Sequence, residues 1–161
     1  MICHQCGIEH SIDEMELTFR RPDAAACLSE QERKATVQEN NDLCIIGGKR
    51  FFIRALLPLS VESRKRQYNI GLWVELNQTS FERVHALWDE LEQDTEPPFD
   101  ALIANSIPIL PDTIGLSTKL QLTGPTTRPK VIVSENSHPL FGEQVNGITE
   151  HRAHEYSSLF A

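Results

Sequence analysis

The sequence predicts an α+β protein with a mainly antiparallel sheet, two or three helices and a zinc-knuckle-like N-terminal segment. Strand-like runs follow one another without regular alternation with helices, a Gly-Gly pair separates two of them, and a Cys-x-x-Cys pattern begins at the third residue. The length of 161 residues is typical of one domain. We therefore expect residues 1–161 to share one core, with residues 1–27 as the candidate metal-knuckle segment.

Helices are predicted over residues 30–39, 79–93 and 148–160. Ser29 with Glu32, and Thr79 with Glu82, form capping-box patterns, in which a hydroxyl and a carboxylate each accept from the other residue's backbone N–H. Apolar residues then recur at helical spacing in the second range. These patterns fix where the first two helices are expected to begin.

Strands are predicted in the apolar runs between the helices. Residues 43–46 and 50–57 flank Gly47-Gly48, which is typical of a β-hairpin. The other strand-like runs are residues 68–76, 101–107, 114–122 and 130–133. Most of these runs follow one another without a helix between them, which favours antiparallel pairing.

The net negative charge of the chain indicates which kinds of partner it can bind. Fifteen Lys and Arg against 23 Asp and Glu give a net charge of -8, whereas a nucleic-acid-binding protein is expected to carry a basic stripe. The basic cluster Arg64-Lys65-Arg66 is short and is interpreted as a solvated turn. The acidic balance disfavours nucleic acid and suits either a basic protein partner or solubility alone.

The hydropathy pattern predicts a soluble, cytoplasmic protein that does not bind a membrane. The chain contains no unbroken apolar run of about 18 residues and no signal-peptide pattern at its start. In a reducing compartment, Cys-x-x-Cys spacing favours metal or redox chemistry over a disulfide. A thioredoxin-like redox pair is disfavoured because that motif follows a strand and opens a helix.

Cys3 and Cys6 can place two thiolates on one Zn²⁺. His10 is near enough in sequence to fold back, and Cys44 can supply a ligand from a strand, while Cys27 remains an alternative. Four protein ligands make a structural zinc site, and three leave an open position for a catalytic water. The competing interpretation is that the thiols bind nothing and Cys44 is a small core residue.

Several motifs spread over the chain carry a family resemblance: Cys3-x-x-Cys6-Gly7-x-x-His10, Pro22-Asp23, Glu32-Arg33, Asp42-Leu43-Cys44, Phe51-Phe52-Ile53-Arg54, Leu57-Pro58-Leu59, Gly71-Leu72-Trp73-Val74, Pro111-Asp112-Thr113, Arg128-Pro129, His138-Pro139-Leu140 and Gly147-Ile148-Thr149. Together they resemble the bacterial domain of unknown function 2199 (DUF2199) family. The resemblance spans nearly the whole chain and implies no particular activity. It does imply that the Cys-His motif belongs with Asp42-Leu43-Cys44, which favours Cys44 as the fourth ligand.

The candidate binding residues are Arg54, Trp73, Arg128 and His138. Arg54 and Trp73 lie in predicted strands that could line a cleft, and the other two belong to motifs of the resemblance. No catalytic set is recognisable. We expect a non-catalytic binding protein of accessory or immunity type that masks a protein partner and contains structural zinc. The alternative is a small metal-dependent enzyme with an open Cys/Cys/His site.

Overall fold

The computed structural model describes residues 15–160 and confirms the α+β class. The helices in this range are α1 (Asp23–Ala26), α2 (Glu30–Thr36), α3 (Gln78–Leu87), α4 (Pro139–Asn146) and α5 (Glu150–Ser157), with a 3-10 turn at Gln93–Thr95. The strands are β1 (Val37–Glu39), β2 (Leu43–Ile46), β3 (Arg50–Leu59), β4 (Tyr68–Leu76), β5 (Phe99–Ile103), β6 (Ser117–Gln121) and β7 (Lys130–Val133). Five α-helices exceed the two or three predicted.

The seven strands form one sheet in chain order, and every sequential pair is antiparallel. The five strands from β3 to β7 close into a barrel, because β3 also pairs with β7 in parallel at Leu56 and Lys130. The N–H of Leu56 donates to the carbonyl of Pro129 at 2.9 Å. One edge of the ten-residue β3 thus serves β2 near its start and β7 farther on. We call the place where β3 changes partner the seam.

The barrel interior is filled by alternate residues of the long strands. Ile53, Ala55 and Leu57 of β3 are fully buried, and their cross-strand partners on β4 share the same face of the sheet. Those partners, Val74, Leu72 and Ile70, are also fully buried. Arg54 lies between these positions, so its side chain lies on the outer face.

The hairpin predicted at Gly47-Gly48 is confirmed, with β2 paired to β3 from Leu43–Ile53 to Ile46–Arg50. Both glycines have positive φ, 59° and 66°, which non-glycine residues seldom adopt. The limits of β4 and β7 agree with the sequence, whereas β6 begins three residues later than the predicted start at residue 114. Aromatic and β-branched composition was therefore sufficient to locate the long central strand.

The helix limits follow their caps. Ser29 and Glu32 form the predicted capping box, but α2 ends at Thr36 and the chain continues as β1. The second predicted capping box is wrong, because the side chain of Asn77 accepts from the N–H of Ser80 and α3 begins at residue 78. An asparagine oxygen satisfies the free N–H groups of a first turn as well as a hydroxyl does.

Residues 17–19 add a short bridge to the free part of the β4 edge. The N–H of Phe19 donates to the carbonyl of Gly71 at 2.8 Å, and the N–H of Gly71 donates to Leu17 at 2.9 Å. A Cβ at Gly71 would lie 3.0 Å from Oγ1 of Thr18, so this approach needs glycine. The described part of the predicted knuckle segment is thereby attached to the barrel, while residues 1–14 lie outside the described range.

A buried asparagine, Asn105, connects the same N-terminal segment to the barrel by hydrogen bonds. The side chain of Asn105 is fully buried and accepts from the N–H of Trp73 at 2.8 Å. Its amide nitrogen donates to the carbonyl of Arg21 at 2.8 Å and to a carboxylate oxygen of Asp23 at 3.0 Å. One side chain therefore joins β4 to the segment that leads into α1.

The prediction that Arg64-Lys65-Arg66 forms a solvated turn is wrong for Arg64, which is largely buried. Its Nε and Nη2 donate to the two carboxylate oxygens of Glu150 at 2.8 and 2.6 Å, and only 16% and 8% of the two side chains are exposed. Arg66, in contrast, is 82% exposed. The buried pair holds the start of α5 against the turn that follows β3.

Within residues 15–160 the search for a membrane-spanning helix finds none of sufficient length and apolar character.

Candidate functional site

The seam brings together two of the predicted binding residues, Arg54 and Arg128. Asp42 precedes β2, and its carbonyl accepts from the N–H of Arg54 at 2.9 Å. The Asp42 carboxylate also pairs with Nε of Arg128 at 3.3 Å. Both arginines contact Asp42. Arg54 lies on β3 at the point where this strand stops pairing with β2, and Arg128 lies just before β7, with which β3 then pairs.

Among the described residues, Arg54 has the one buried side-chain polar atom without a hydrogen-bond partner. Its Nη1 donates to the carbonyl of Asn41 at 3.3 Å, whereas its buried Nε has no hydrogen-bond partner. Burial, and next the like charge of Arg128, lower the pKa of this guanidinium, while Asp42 opposes the change. A cationic donor has been removed from water here without a full set of acceptors.

Arg54 opens into a small pocket of about 200 Å³ on the outer face. The other residues that line it are Arg20, Arg21, Glu39, Asn40 and Asn41. Nε of Arg21 donates to both carboxylate oxygens of Glu39, at 2.9 and 3.1 Å, so these two charges neutralise each other. Positive charge remains on Arg20 and Arg54.

Trp73 lies opposite Arg54 in the β3–β4 register, but it is a core residue. Only 1% of its surface is exposed, and its indole Nε1 donates to the carbonyl of Phe19 at 3.1 Å. The N-terminal segment covers the ring on the outer face of the sheet. Trp73 is not among the residues that line the Arg54 pocket, and its direct contact with a ligand remains a prediction.

His138 is separate from the seam and begins α4. Its Nδ1 accepts from the N–H of Leu140 at 3.1 Å, and its Nε2 lies 3.0 Å from the carbonyl of Pro111. A neutral ring with its hydrogen on Nε2 satisfies both contacts. This histidine caps a helix that the sequence did not predict, and within residues 15–160 no hydrogen bond or ion pair connects it to Arg54.

Of the four predicted metal ligands, only Cys44 lies in the described range; Cys3, Cys6 and His10 fall outside it. Cys44 is fully buried in β2, and burial, followed by the charge of Glu39, raises the pKa of its thiol to about 12. Without a metal these surroundings keep the thiol protonated, as in a small core residue, whereas a zinc ligand is a thiolate. The role of Cys44 as a ligand remains a prediction. No metal-binding cluster of three or more His, Cys, Asp or Glu occurs within residues 15–160.

A larger groove of about 500 Å³ lies between β1–β3 and α3. Its apolar residues are Leu43, Ile45, Phe51 and Phe81, and its polar residues are Gln38, Glu39, Asn40, Glu82 and His85. We call this the β1–α3 groove. Sequence reasoning missed it because its lining comes from four elements, and the residues of α3 lie far from those of β1–β3 in the sequence.

Comparison with known proteins identifies one family model. It matches residues 2–148 and is described as an uncharacterized protein conserved in bacteria, DUF2199. No curated protein and no solved structure matches the chain.

Proposed function

Because the chain belongs to the DUF2199 family of bacterial proteins, whose description names no activity, we propose its function from its own surface. We propose that it is a non-catalytic binding protein of accessory or immunity type, and that the β1–α3 groove takes an extended basic segment of a partner protein. The observation that carries this proposal is an apolar groove that contains the exposed carboxylate of Glu82 and opens beside β1, the terminal strand of the described sheet.

The apolar part of the groove supplies the area for binding. Leu43 and Ile45 are half-buried on β2, and the ring of Phe51 packs 5.1 Å from that of Phe81 on α3. These rings are almost fully buried and form a rigid floor. An apolar side chain of the partner could fill the space above this floor, as the buried anchors of other interfaces do.

The edge of β1 supplies hydrogen bonds for an extended partner. In the described sheet β1 is the terminal strand and pairs only with β2. Gln38 and Glu39 of this strand line the groove. A segment that adds to this edge would pair with the backbone while its alternate side chains enter the groove, which is the mode called β-augmentation.

Charge favours a basic segment. Among the described residues, no Lys or Arg lines the groove, and of its two carboxylates Glu39 is paired with Arg21 while Glu82 forms no ion pair. Glu82 is exposed on α3, and its carboxylate accepts from the side-chain amide of Gln78 at 3.1 Å. The net charge of -8 adds a long-range attraction for basic proteins.

The groove can be tested with a displayed library of random peptides. We expect enriched peptides to contain Lys or Arg beside an apolar residue. Glu82→Lys should weaken their binding about tenfold, because it reverses an exposed charge at the groove. Ile45→Lys should remove measurable binding by placing a charge among the apolar lining.

Glu90→Lys is the matched control, since Glu90 is exposed beyond the end of α3 and does not line the groove. It makes the same charge change and should alter affinity less than about twofold. Equal losses in Glu82→Lys and Glu90→Lys would show that binding depends on net charge alone. Enrichment of acidic peptides, or self-association through β1 in place of peptide binding, would also contradict the proposal.

We also propose, from the sequence, a structural zinc ion held by Cys3, Cys6, His10 and Cys44. Metal analysis of the purified protein should then find about one zinc per chain, and its removal should destabilise the fold. Alkylation followed by peptide mapping tests Cys44 itself. If Cys44 is a ligand, chelation should make it reactive while the barrel stays folded.

If Cys44 is only a core residue, its raised pKa and burial should keep it unreactive at pH 8 with or without chelator, until the protein is unfolded. Exposed Cys27 is the internal control, because it should react under both conditions. Protection of Cys44 that is unchanged by chelation, together with unchanged metal affinity in Cys44→Ser, would remove it from the ligand set.

A further inference from the structure

We propose that the pocket beside the seam binds the phosphate group of a small phosphorylated molecule, with Arg54, Arg20 and the side-chain amide of Asn40 as donors. The site is distinct from the β1–α3 groove, although both touch the turn between β1 and β2. An anion site is unexpected in a chain of net charge -8, so local structure must account for it.

The first argument is local charge. The pocket is lined by three arginines and one carboxylate, and that carboxylate, Glu39, is paired with Arg21. Asp42, the other acidic group at the seam, is paired with Arg128. Within residues 15–160, neither Arg20 nor Arg54 forms a salt bridge, although Asp42 partly offsets the charge of Arg54. Two positive charges thus face a concave surface, which attracts a dianion.

The second argument is the unmet hydrogen-bonding capacity of Arg54. Its Nη1 is directed to the carbonyl of Asn41, while its buried Nε donates to no described atom. A free buried donor is costly, and an anionic oxygen is the acceptor that compensates it best. The lowered pKa of this guanidinium has the same cause, since burial and Arg128 disfavour its charge. A bound anion would relieve both penalties.

The third argument is the orientation of Asn40. Its Oδ1 accepts from the backbone N–H groups of Asp42 and Leu43, both at 2.8 Å. This leaves the amide nitrogen as the group that can donate to a ligand, and Asn40 lines the pocket. The turn between β1 and β2 therefore presents a fixed neutral donor next to the two cations.

The choice of phosphate follows from shape and size. A planar carboxylate is satisfied by one edge of one guanidinium, whereas the oxygens of a phosphate can reach donors that converge from several directions. Arg54, Arg20 and Asn40 come from three separate segments of the chain. The cavity of about 200 Å³ is smaller than most drug-sized sites, so the ligand is a small phosphomonoester and not a dinucleotide.

The test is calorimetric titration of the whole chain, at constant ionic strength, with inorganic phosphate, glycerol phosphate and succinate in separate experiments. We expect both phosphates to bind and to raise the melting temperature relative to chloride, and succinate to bind more weakly. Tighter binding of glycerol phosphate would identify an organic ester as the ligand. Equal binding would mean that the phosphate group alone is recognised.

Arg54→Gln and Arg20→Gln should each weaken phosphate binding about tenfold. Arg20 is exposed, so its replacement leaves the fold intact even if Arg54→Gln is unstable. Arg66→Gln, at an 82% exposed arginine away from the pocket, removes the same charge and should change affinity less than about twofold. Peptide binding in the β1–α3 groove should be unaffected by Arg20→Gln, which separates the two proposals.

The proposal is overturned if wild-type protein shows neither heat nor stabilisation with either phosphate, or if succinate binds more tightly. It is equally overturned if Arg66→Gln loses as much affinity as Arg20→Gln, because binding would then reflect diffuse charge.

Discussion

Glu150→Met is expected to lower the free energy of unfolding by about 3–5 kcal/mol, the largest effect of any single change described here. The substitution leaves Arg64 with its guanidinium largely buried and without the carboxylate that holds it at 2.6 and 2.8 Å. Urea denaturation of both proteins should show a lower midpoint with an unchanged slope.

Two further variants distinguish the cost of leaving the Arg64 charge buried from the cost of losing an ion-pair contact. Arg64→Met combined with Glu150→Met should recover much of the loss, because it removes the buried Arg64 charge together with the carboxylate that stabilises it. Glu96→Met is the matched surface control, since Glu96 makes the same two-oxygen contact with Arg83, which is 53% exposed. It should leave stability almost unchanged. Similar losses in Glu150→Met and Glu96→Met would contradict the argument.

Asn105→Ala is expected to cost about 3 kcal/mol or more, because it removes the partners of several buried groups at once. The N–H of Trp73 and the carbonyl of Arg21 would both lose their hydrogen bonds to this side chain. Thermal or urea unfolding measures the loss. Hydrogen exchange at the amide of Phe19, which bonds to Gly71, should also accelerate as the N-terminal segment loosens.

Asn136→Ala is the control for this experiment, because Asn136 is exposed in the loop before α4. It should change neither the unfolding midpoint nor the exchange of Phe19. If Asn105→Ala destabilises the protein but leaves exchange of Phe19 unchanged, Asn105 supports the barrel without fastening the segment.

Local patterns predicted the elements whose cause is local. Gly47-Gly48 predicted a hairpin because positive φ is a property of the residue itself, and the composition of residues 68–76 predicted β4. Helix α4 was missed because its cap is the ring nitrogen of His138 and its sequence begins with proline and contains glycine. Proline is common at the first position of a helix, but histidine is not among the usual capping residues and an interior glycine lowers helix propensity.

Barrel closure and the phosphate pocket could not be predicted, since both depend on pairing between distant segments. Leu56 and Lys130 carry no mark that they are partners. Arg54 and Arg128 were selected as binding residues, and the fold does place both beside Asp42. The sequence did not indicate Arg20 as a binding residue, because its position at the pocket depends on the path of residues 17–21 over the outer face of β4.

The seam also determines the order in which the molecule can assemble. Each antiparallel contact from β3 to β7 joins neighbours in sequence, so the loop-closure entropy of each step is modest. The parallel contact of Leu56 with Lys130 spans all of these hairpins and is favourable only after they bring its ends together. We expect ring closure to be a late event in folding. In the native state, the amide of Leu56 should then exchange with solvent more readily than the β3–β4 amides beside it.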